Sequence, residues 1–179
     1  TPNSLIVGSS EGLFEIAGMQ IRKIFNTPVN VLHYETGGNI LLVGTDEGFR
    51  IFKPDGWKEI MNYSLPNVSI DDIAISPTGF LWLSSRSGVL YRSTKPFTDA
   101  SNLTYSSYTS EDLKSFYGSH IKLISAPGKL FFASIERLFT FDPAKQEFLP
   151  DSSLNLPFRY GSYRVGQIEE DKEQNLWIS

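Results

Sequence analysis

Cysteine is absent from this chain of 179 residues, which removes disulfides, thiolate catalysis and cysteine-based zinc sites and says little about compartment. Histidine is nearly absent. His33 and His120 lie 87 positions apart, a separation with no metal-type spacing, and two histidines cannot make a three-histidine site. No apolar run reaches the ~18 residues that a membrane helix needs. No basic patch exists either: 16 Lys and Arg are interspersed with 20 Asp and Glu for a net charge of -4, so nucleic acid is not a default partner. The opening "TPNSLIVGSS" has no initiator Met, basic leader or cleavage-type apolar stretch, and the far end stops on "NLWIS", within an apolar strand pattern. Either a signal has been removed or the chain was cut from a longer protein, and the abrupt far end favours cutting.

What the chain does have is aromatic side chains (13%) and turn residues, with 14 Gly and 10 Pro. That is the composition of short strands joined by tight turns. It also repeats. "SLIVGSSEGLFEI" (4–16) aligns with "ILLVGTDEGFRIF" (40–52), "GFLWLSSRSGVLYRS" (79–93), "GKLFFASIERLFTFD" (128–142) and the closing "QNLWIS" (174–179). Ile6, Leu42, Trp82, Phe131 and Trp177 hold one slot, at spacings of 36, 40, 49 and 46 residues. Five matches in phase with strand patterns, and no pair of 3.6-period stretches per unit, point to a blade-type repeat.

Each unit reads as four strands. Strand a is apolar ("VNVLHY", "IDDIAIS", "HIKLIS", "YRVGQIEE"), followed by the turns "ETGGN", "SPTG", "APGK" and "DKEQN". Strand b is nearly continuous in apolar residues, as befits a sheet covered on both faces. Strand c alternates more, and a looser strand d ("IRKIF", "WKEIMNY", "EFLP") completes the unit. Four antiparallel strands packed face to face with their neighbours describe an all-β fold of β-propeller blades. The units fall near 4–28, 29–68, 69–118, 119–161 and 162–179, so the chain reads as part of a single propeller domain, truncated to about four blades with incomplete first and last ones. Helix is expected nowhere except a single turn in "TSEDLKSF" (109–116), and the surplus of the long third unit is placed in the c–d connection, 93–112. Trp82, Phe131 and Trp177 are expected between blades as core. Gly12, Gly48 and Gly88 are expected to serve the b–c turns, where Arg137 breaks the pattern. Open edges and bare blade faces favour self-association, with Trp177 covered by another copy or by further blades.

"IEEDKEQNLWIS", "GFLWLSSRSGVLYRS" and "NILLVGTDEGFRIFKPDG" resemble the two-component regulator propeller repeat. Asp171, Asn175, Leu176 and Trp177 match the first half of that motif. Gly79, Leu81, Trp82, Gly88 and Tyr91 match it in the third unit, and Gly44, Thr45, Gly48, Phe52 and Asp55 in the second. The resemblance implies the periplasmic sensing part of a bacterial inner-membrane receptor, with a histidine kinase or diguanylate cyclase elsewhere in the parent protein and the membrane reached only through those missing parts. It also implies a small polar ligand such as an oligosaccharide.

Alternation of antiparallel strands puts the d–a and b–c loops at one end of each blade. That end carries Asn26–Asn30, Asn67–Ile70, Tyr117–His120 and Tyr160–Arg164 from the first set, and Ser10–Glu11, Asp46–Glu47, Arg86–Ser87 and Glu136–Arg137 from the second. Aromatic rings beside charges suit a sugar. Arg86, His120, Glu136, Tyr160, Tyr163 and Arg164 are the candidate ligand residues, each weighed against a plain solvated loop position. No cofactor and no catalysis are expected of this segment: no G-x-S-x-G context exists, "SSEG" and "GTDEG" lack the Gly-Lys of a phosphate loop, and neighbours such as Asp71 and Asp72 on a strand face opposite ways. The rival readings are a propeller lyase or glycosidase using loop-face His and carboxylates, and a protein–protein scaffold. The enzyme reading requires His33, His120, Glu136 or Glu11 to meet a second titratable group within hydrogen-bond reach.

Overall fold

The computed structural model describes residues 4–97, 103–109, 121–126, 128–134, 138–151, 168–171, 173 and 175–178. Among these the structure is all β, with no helix. Five antiparallel meanders follow one another. The first holds β1 (Ser4–Ser9), β2 (Gly12–Ala17) and β3 (Gln20–Phe25) in that order. The second holds β4 (Val31–Glu35), β5 (Ile40–Thr45), β6 (Gly48–Lys53) and β7 (Lys58–Ser64). The third runs β8 (Ile70–Ile75), β9 (Leu81–Ser85), β10 (Leu90–Ser93) and β11 (Tyr105–Tyr108), and the fourth β12 (Lys122–Ala126), β13 (Lys129–Ala133), β14 (Leu138–Asp142) and β15 (Glu147–Pro150). The fifth pairs β16 (Ile168–Glu170) with β17 (Leu176–Ile178). Ile6, Leu42, Trp82, Phe131 and Trp177 fall on β1, β5, β9, β13 and β17, the b strand of each sheet as the repeat predicts. The expected turn at 109–116 lies, beyond Thr109, outside the described residues.

Two details correct the sequence reading. Trp57, read as the start of a d strand, stands one residue before β7 in a turn, with φ of 55°. The connection in the third unit is shorter than 93–112, because residues 105–108 form β11; it is closed by Thr94 N–H donating to Thr104 O at 2.9 Å. The b–c turns behave as expected, Gly12, Gly48 and Gly88 having φ of 128°, 109° and 82°. At Gly48 a Cβ would also lie 2.1 Å from the Tyr63 carbonyl oxygen, so only glycine fits.

By contact the chain divides into two compact units, the division falling within β8 between Ile73 and Ala74. In the first unit the core gathers Leu13, Leu41, Val43, Phe52 and Trp57, with Ile6, Phe25, Val29 and Leu32 packed against it. Phe25 meets Phe52 edge-on at 5.8 Å. The polar end of the Trp57 indole is satisfied by Glu15, its Nε1–H donating to Oε1 at 3.0 Å. Arg22 holds the other Glu15 oxygen at 2.7 Å.

In the second unit the core is built around Trp82. Its ring lies 4.7 Å from Phe132, 5.0 Å from Phe141, 5.7 Å from Tyr108 and 5.9 Å from Phe148. Such ring pairs contribute about 0.5–1.5 kcal/mol each beyond their burial.

The small residues two places after the register slot explain a further part of the repeat. At Gly8 a Cβ would stand 2.5 Å from Val29 Cγ1, and at Gly44 it would stand 2.8 Å from Ile70 O. Ser84 takes the same place in the third sheet, its Oγ donating to Ile121 O at 2.5 Å. Each small residue lets the strand a region of the following sheet approach closely.

Two of the a–b turns share a second device. Asp171 N–H donates to Asn175 O at 3.0 Å, and Asn175 N–H returns a bond to Asp171 Oδ1 at 2.8 Å. Trp177 Nε1–H donates to Asp171 Oδ2 at 2.9 Å. Six residues before Trp82, Ser76 does the same work: its N–H donates to Phe80 O at 2.9 Å and its Oγ accepts Phe80 N–H at 3.1 Å. The Asp, Asn and Trp of the resemblance are therefore a turn lock. These bonds hold the Asp171 carboxyl below its ordinary pKa, the Asn175 side chain contributing most.

Trp82 and Trp177 occupy equivalent slots in different surroundings, 2% and 66% exposed. Trp82→Ala lowers stability by about 3–5 kcal/mol, whereas Trp177→Ala changes it by no more than ~1 kcal/mol. Guanidinium unfolding of the two variants measures the difference, and equal losses would contradict it.

Candidate functional site

The d–a and b–c loops of the second sheet are tied to one another by backbone bonds. Gly48 N–H donates to Val68 O at 2.9 Å and Leu65 N–H to Glu47 O at 3.0 Å. Thr45 Oγ1 accepts Glu47 N–H at 3.3 Å and donates to Gly48 O at 3.1 Å. On this frame three side chains from separate loops meet. Asn30 Nδ2 donates to Asp46 Oδ1 at 2.9 Å and to Ser69 Oγ at 3.0 Å. Ser69 Oγ lies 2.9 Å from Asp46 Oδ1 and 3.1 Å from Asp71 Oδ1. Asn30 and Asp46 are exposed. An amide, a hydroxyl and two carboxylates thus gather hydrogen-bond donors and acceptors at one rim.

All three loops lie at the end of the blades expected to bind ligand, and the six candidates include none of these three residues. Their signal was positional, each standing where a d–a or b–c loop begins or ends. Of the six candidates, Arg86 is exposed in the turn between β9 and β10, where Gly88 N–H donates to Ser85 O at 2.9 Å. His120, Glu136, Tyr160, Tyr163 and Arg164 lie outside the described residues.

His33 sits on β4 opposite Leu42. Burial pushes its pKa below the ordinary value of 6.5, and the nearby charge of Glu35 opposes that shift without reversing it. No hydrogen bond joins His33 or the Glu11 carboxylate to a titratable group among the described residues. Asp71 and Asp72 take different partners, Asp72 Oδ1 accepting Ile73 N–H at 3.0 Å. No group of three His, Asp or Glu among the described residues could hold a metal ion, and no helix there is long and apolar enough to cross a membrane.

The blades define the class: a partial β-propeller. No family model and no curated protein matches the chain. Among solved structures it is similar to the extracellular domain of the hybrid two-component system BT3049 from B. thetaiotaomicron, at TM-score 0.70 and 21% identity over 98% of this chain and 25% of that one. It is likewise similar to the extracellular domain of the one-component system BT4673 from B. thetaiotaomicron, at TM-score 0.68 and 18% identity over 98% of this chain and 24% of that one. A more distant likeness is the Cps50 (Swd1) β-propeller domain of Myceliophteria thermophila, at TM-score 0.64 and 11% identity over 94% of this chain and 59% of that one. The chain thus has the blade fold of these proteins and spans about a quarter of the length of the two sensor domains.

The lowered pKa of His33 fixes the sign of a pH effect. As pH falls through 6.5 the unfolded chain takes up a proton that the folded chain refuses, so stability falls until the folded-state pKa is passed. Urea midpoints compared between about pH 7.5 and 5.5 fall less in His33→Gln than in the wild type. Identical falls in both proteins would remove His33 as the cause.

Proposed function

We propose that the chain is a ligand-sensing segment from the extracytoplasmic part of a bacterial signal-transduction receptor, periplasmic in location, binding a small polar ligand such as an oligosaccharide without chemistry of its own. The observation that carries this reading is the likeness to the extracellular domains of two B. thetaiotaomicron signalling systems over 98% of the chain. The resemblance of the repeats to the two-component regulator propeller supports it. The rim of Asn30, Asp46 and Ser69 supplies the polar groups that such a ligand requires. Output through a histidine kinase or a diguanylate cyclase belongs to the parent protein in this reading.

Thermal-shift screening of the chain against di- to hexasaccharides from plant and host glycans tests it. A true ligand at a hundredfold excess over its Kd stabilises the fold by about 2.7 kcal/mol. Asp46→Ala then weakens binding by about tenfold or more, since a hydrogen bond to a charged group contributes ~1.5–3 kcal/mol. Absence of any shift, or a ligand indifferent to Asp46 and Asn30, would reject this site.

Self-association belongs to the same reading. Leu5 and Ile21, each opposite Ile16 across the first sheet, are 62% and 69% exposed, and Trp177 is 66% exposed. Apolar side chains bared in this way favour burial against another copy. Sedimentation velocity should show the average mass rising with concentration, and Leu5→Ser with Trp177→Ser should suppress the rise. A monomer at every concentration would dismiss the idea.

A further inference from the structure

At the end of the second unit that carries the a–b and c–d turns, a cavity of about 270 Å³ opens between the third and fourth sheets. Trp82, Phe132 and Phe141 form its apolar wall, and Thr78, Thr140 and Arg92 its polar edge. Arg92 stands on β10 opposite Trp82. Its guanidinium lies 4.0 Å from the Phe80 ring centre, 4.9 Å from Phe141 and 5.7 Å from Trp82. Among the described residues these ring contacts are all that Arg92 makes: no carboxylate pairs with it and no carbonyl accepts from it. Two other described arginines contrast with it, Arg22 being held by Glu15 and Arg50 by Glu59 at 2.7 and 2.9 Å.

Stacking on rings satisfies the faces of a guanidinium and leaves its in-plane N–H donors directed past the ring edges. A half-buried cation with unmet donors, fixed at the mouth of an apolar cavity, calls for a carboxylate, which accepts two parallel N–H bonds from such a fork. Lys129, also on the lining, adds positive charge to the same mouth, although Asp151 engages it at 3.3 Å. The volume falls just below the usual range for a drug-sized ligand, enough for one ring and not for a chain of them. Hydroxyls at Thr78 and Thr140 could meet polar substituents on that ring.

We propose that this cavity is a binding site for a small carboxylate carried on a single ring, held by Arg92 and separate from the oligosaccharide rim on the d–a and b–c loops. The carboxylate takes the guanidinium edge and the ring body lies against Phe141 and Trp82. An aromatic acid and a uronic acid share this chemistry.

Benzoate and glucuronate, with benzyl alcohol and glucose as neutral counterparts, distinguish the two sources. In the wild-type chain, titration with millimolar benzoate or glucuronate is followed through the Arg92 Nε–H resonance. A saturating shift from either acid, absent with its neutral counterpart, supports the site, and the acid that acts identifies the ring. Arg92→Gln should then lower affinity by at least tenfold and Arg92→Lys by somewhat less, while Asp46→Ala leaves it unchanged. No shift from either acid, equal shifts from the neutral compounds, or undiminished binding in folded Arg92→Gln would overturn the proposal. Because the wild-type resonance is read directly, a variant that fails to fold leaves the test intact. Since Asp46→Ala probes a residue of the first unit and the Arg92 resonance a residue of the second, failure of one site does not decide the other.

Discussion

Within each unit, the packing depends on how closely the segment leading into the next sheet can approach a b strand. Where a b strand leaves its register slot, two residues on, the side chain is hydrogen, hydrogen and hydroxymethyl at Gly8, Gly44 and Ser84. A methyl group at Gly44 would stand 2.8 Å from the backbone oxygen of Ile70. Protein interiors are close-packed and give little, so a larger residue there would force the sheets apart. The aromatic contacts beside the joint would then open with it. Trp82 reaches Phe132 at 4.7 Å because Ser84 has already drawn Ile121 in by a buried hydrogen bond. Small and large residues two positions apart on one strand are thus parts of a single device, one setting the distance and the other filling it.

The same joint places the polar groups at the loop ends. Asn30 and Ser69 reach Asp46 because the strands that follow them lie close to β5, and the bonds from Gly48 to Val68 and from Leu65 to Glu47 keep the loops from drifting. At the other end, the turn locks of Ser76 and Asp171 fix where strand b begins, and with it the direction of Trp82 and Trp177. The motif residues of the repeat therefore build the scaffold, while the candidate ligand groups sit on positions the repeat leaves free to vary. That division is common where function rides on loops held by a rigid frame.

Much of the scaffold was legible in the sequence because its determinants are local and periodic. The slot of Ile6, Leu42, Trp82, Phe131 and Trp177, the turn glycines and the order of strands all follow from patterns within one unit. Trp57 was misplaced because its setting is tertiary: its ring belongs to a core shared with Leu13 and Leu41 and its N–H to Glu15, 42 residues away. The strand at Tyr105–Tyr108 was hidden because "YSSY" is short and polar, and pairs with β10 across a connection of unusual length. The rim and the Arg92 cavity were illegible for a like reason. Each is made by side chains from different sheets, whose meeting depends on the approach distance and on no motif. Of the candidate residues, only Arg86 falls where the structure describes it, in a turn at the expected end of its blade.

The three tryptophans carry a consequence for spectroscopy. Trp57 is enclosed in the first unit with its indole bound to a carboxylate, Trp82 is enclosed in the second among four aromatic rings, and Trp177 stands 66% exposed on the last strand. One chain thus holds one indole in each of three environments, with no fourth to blur the signal. Aqueous iodide reaches Trp177 far more readily than the other two, so quenching isolates the emission of the final strands. The blue-shifted remainder comes from two cores that contain no common residue. Single replacement of Trp57 or Trp82 by Phe would let the loss of light from each core be timed separately, without any label being attached.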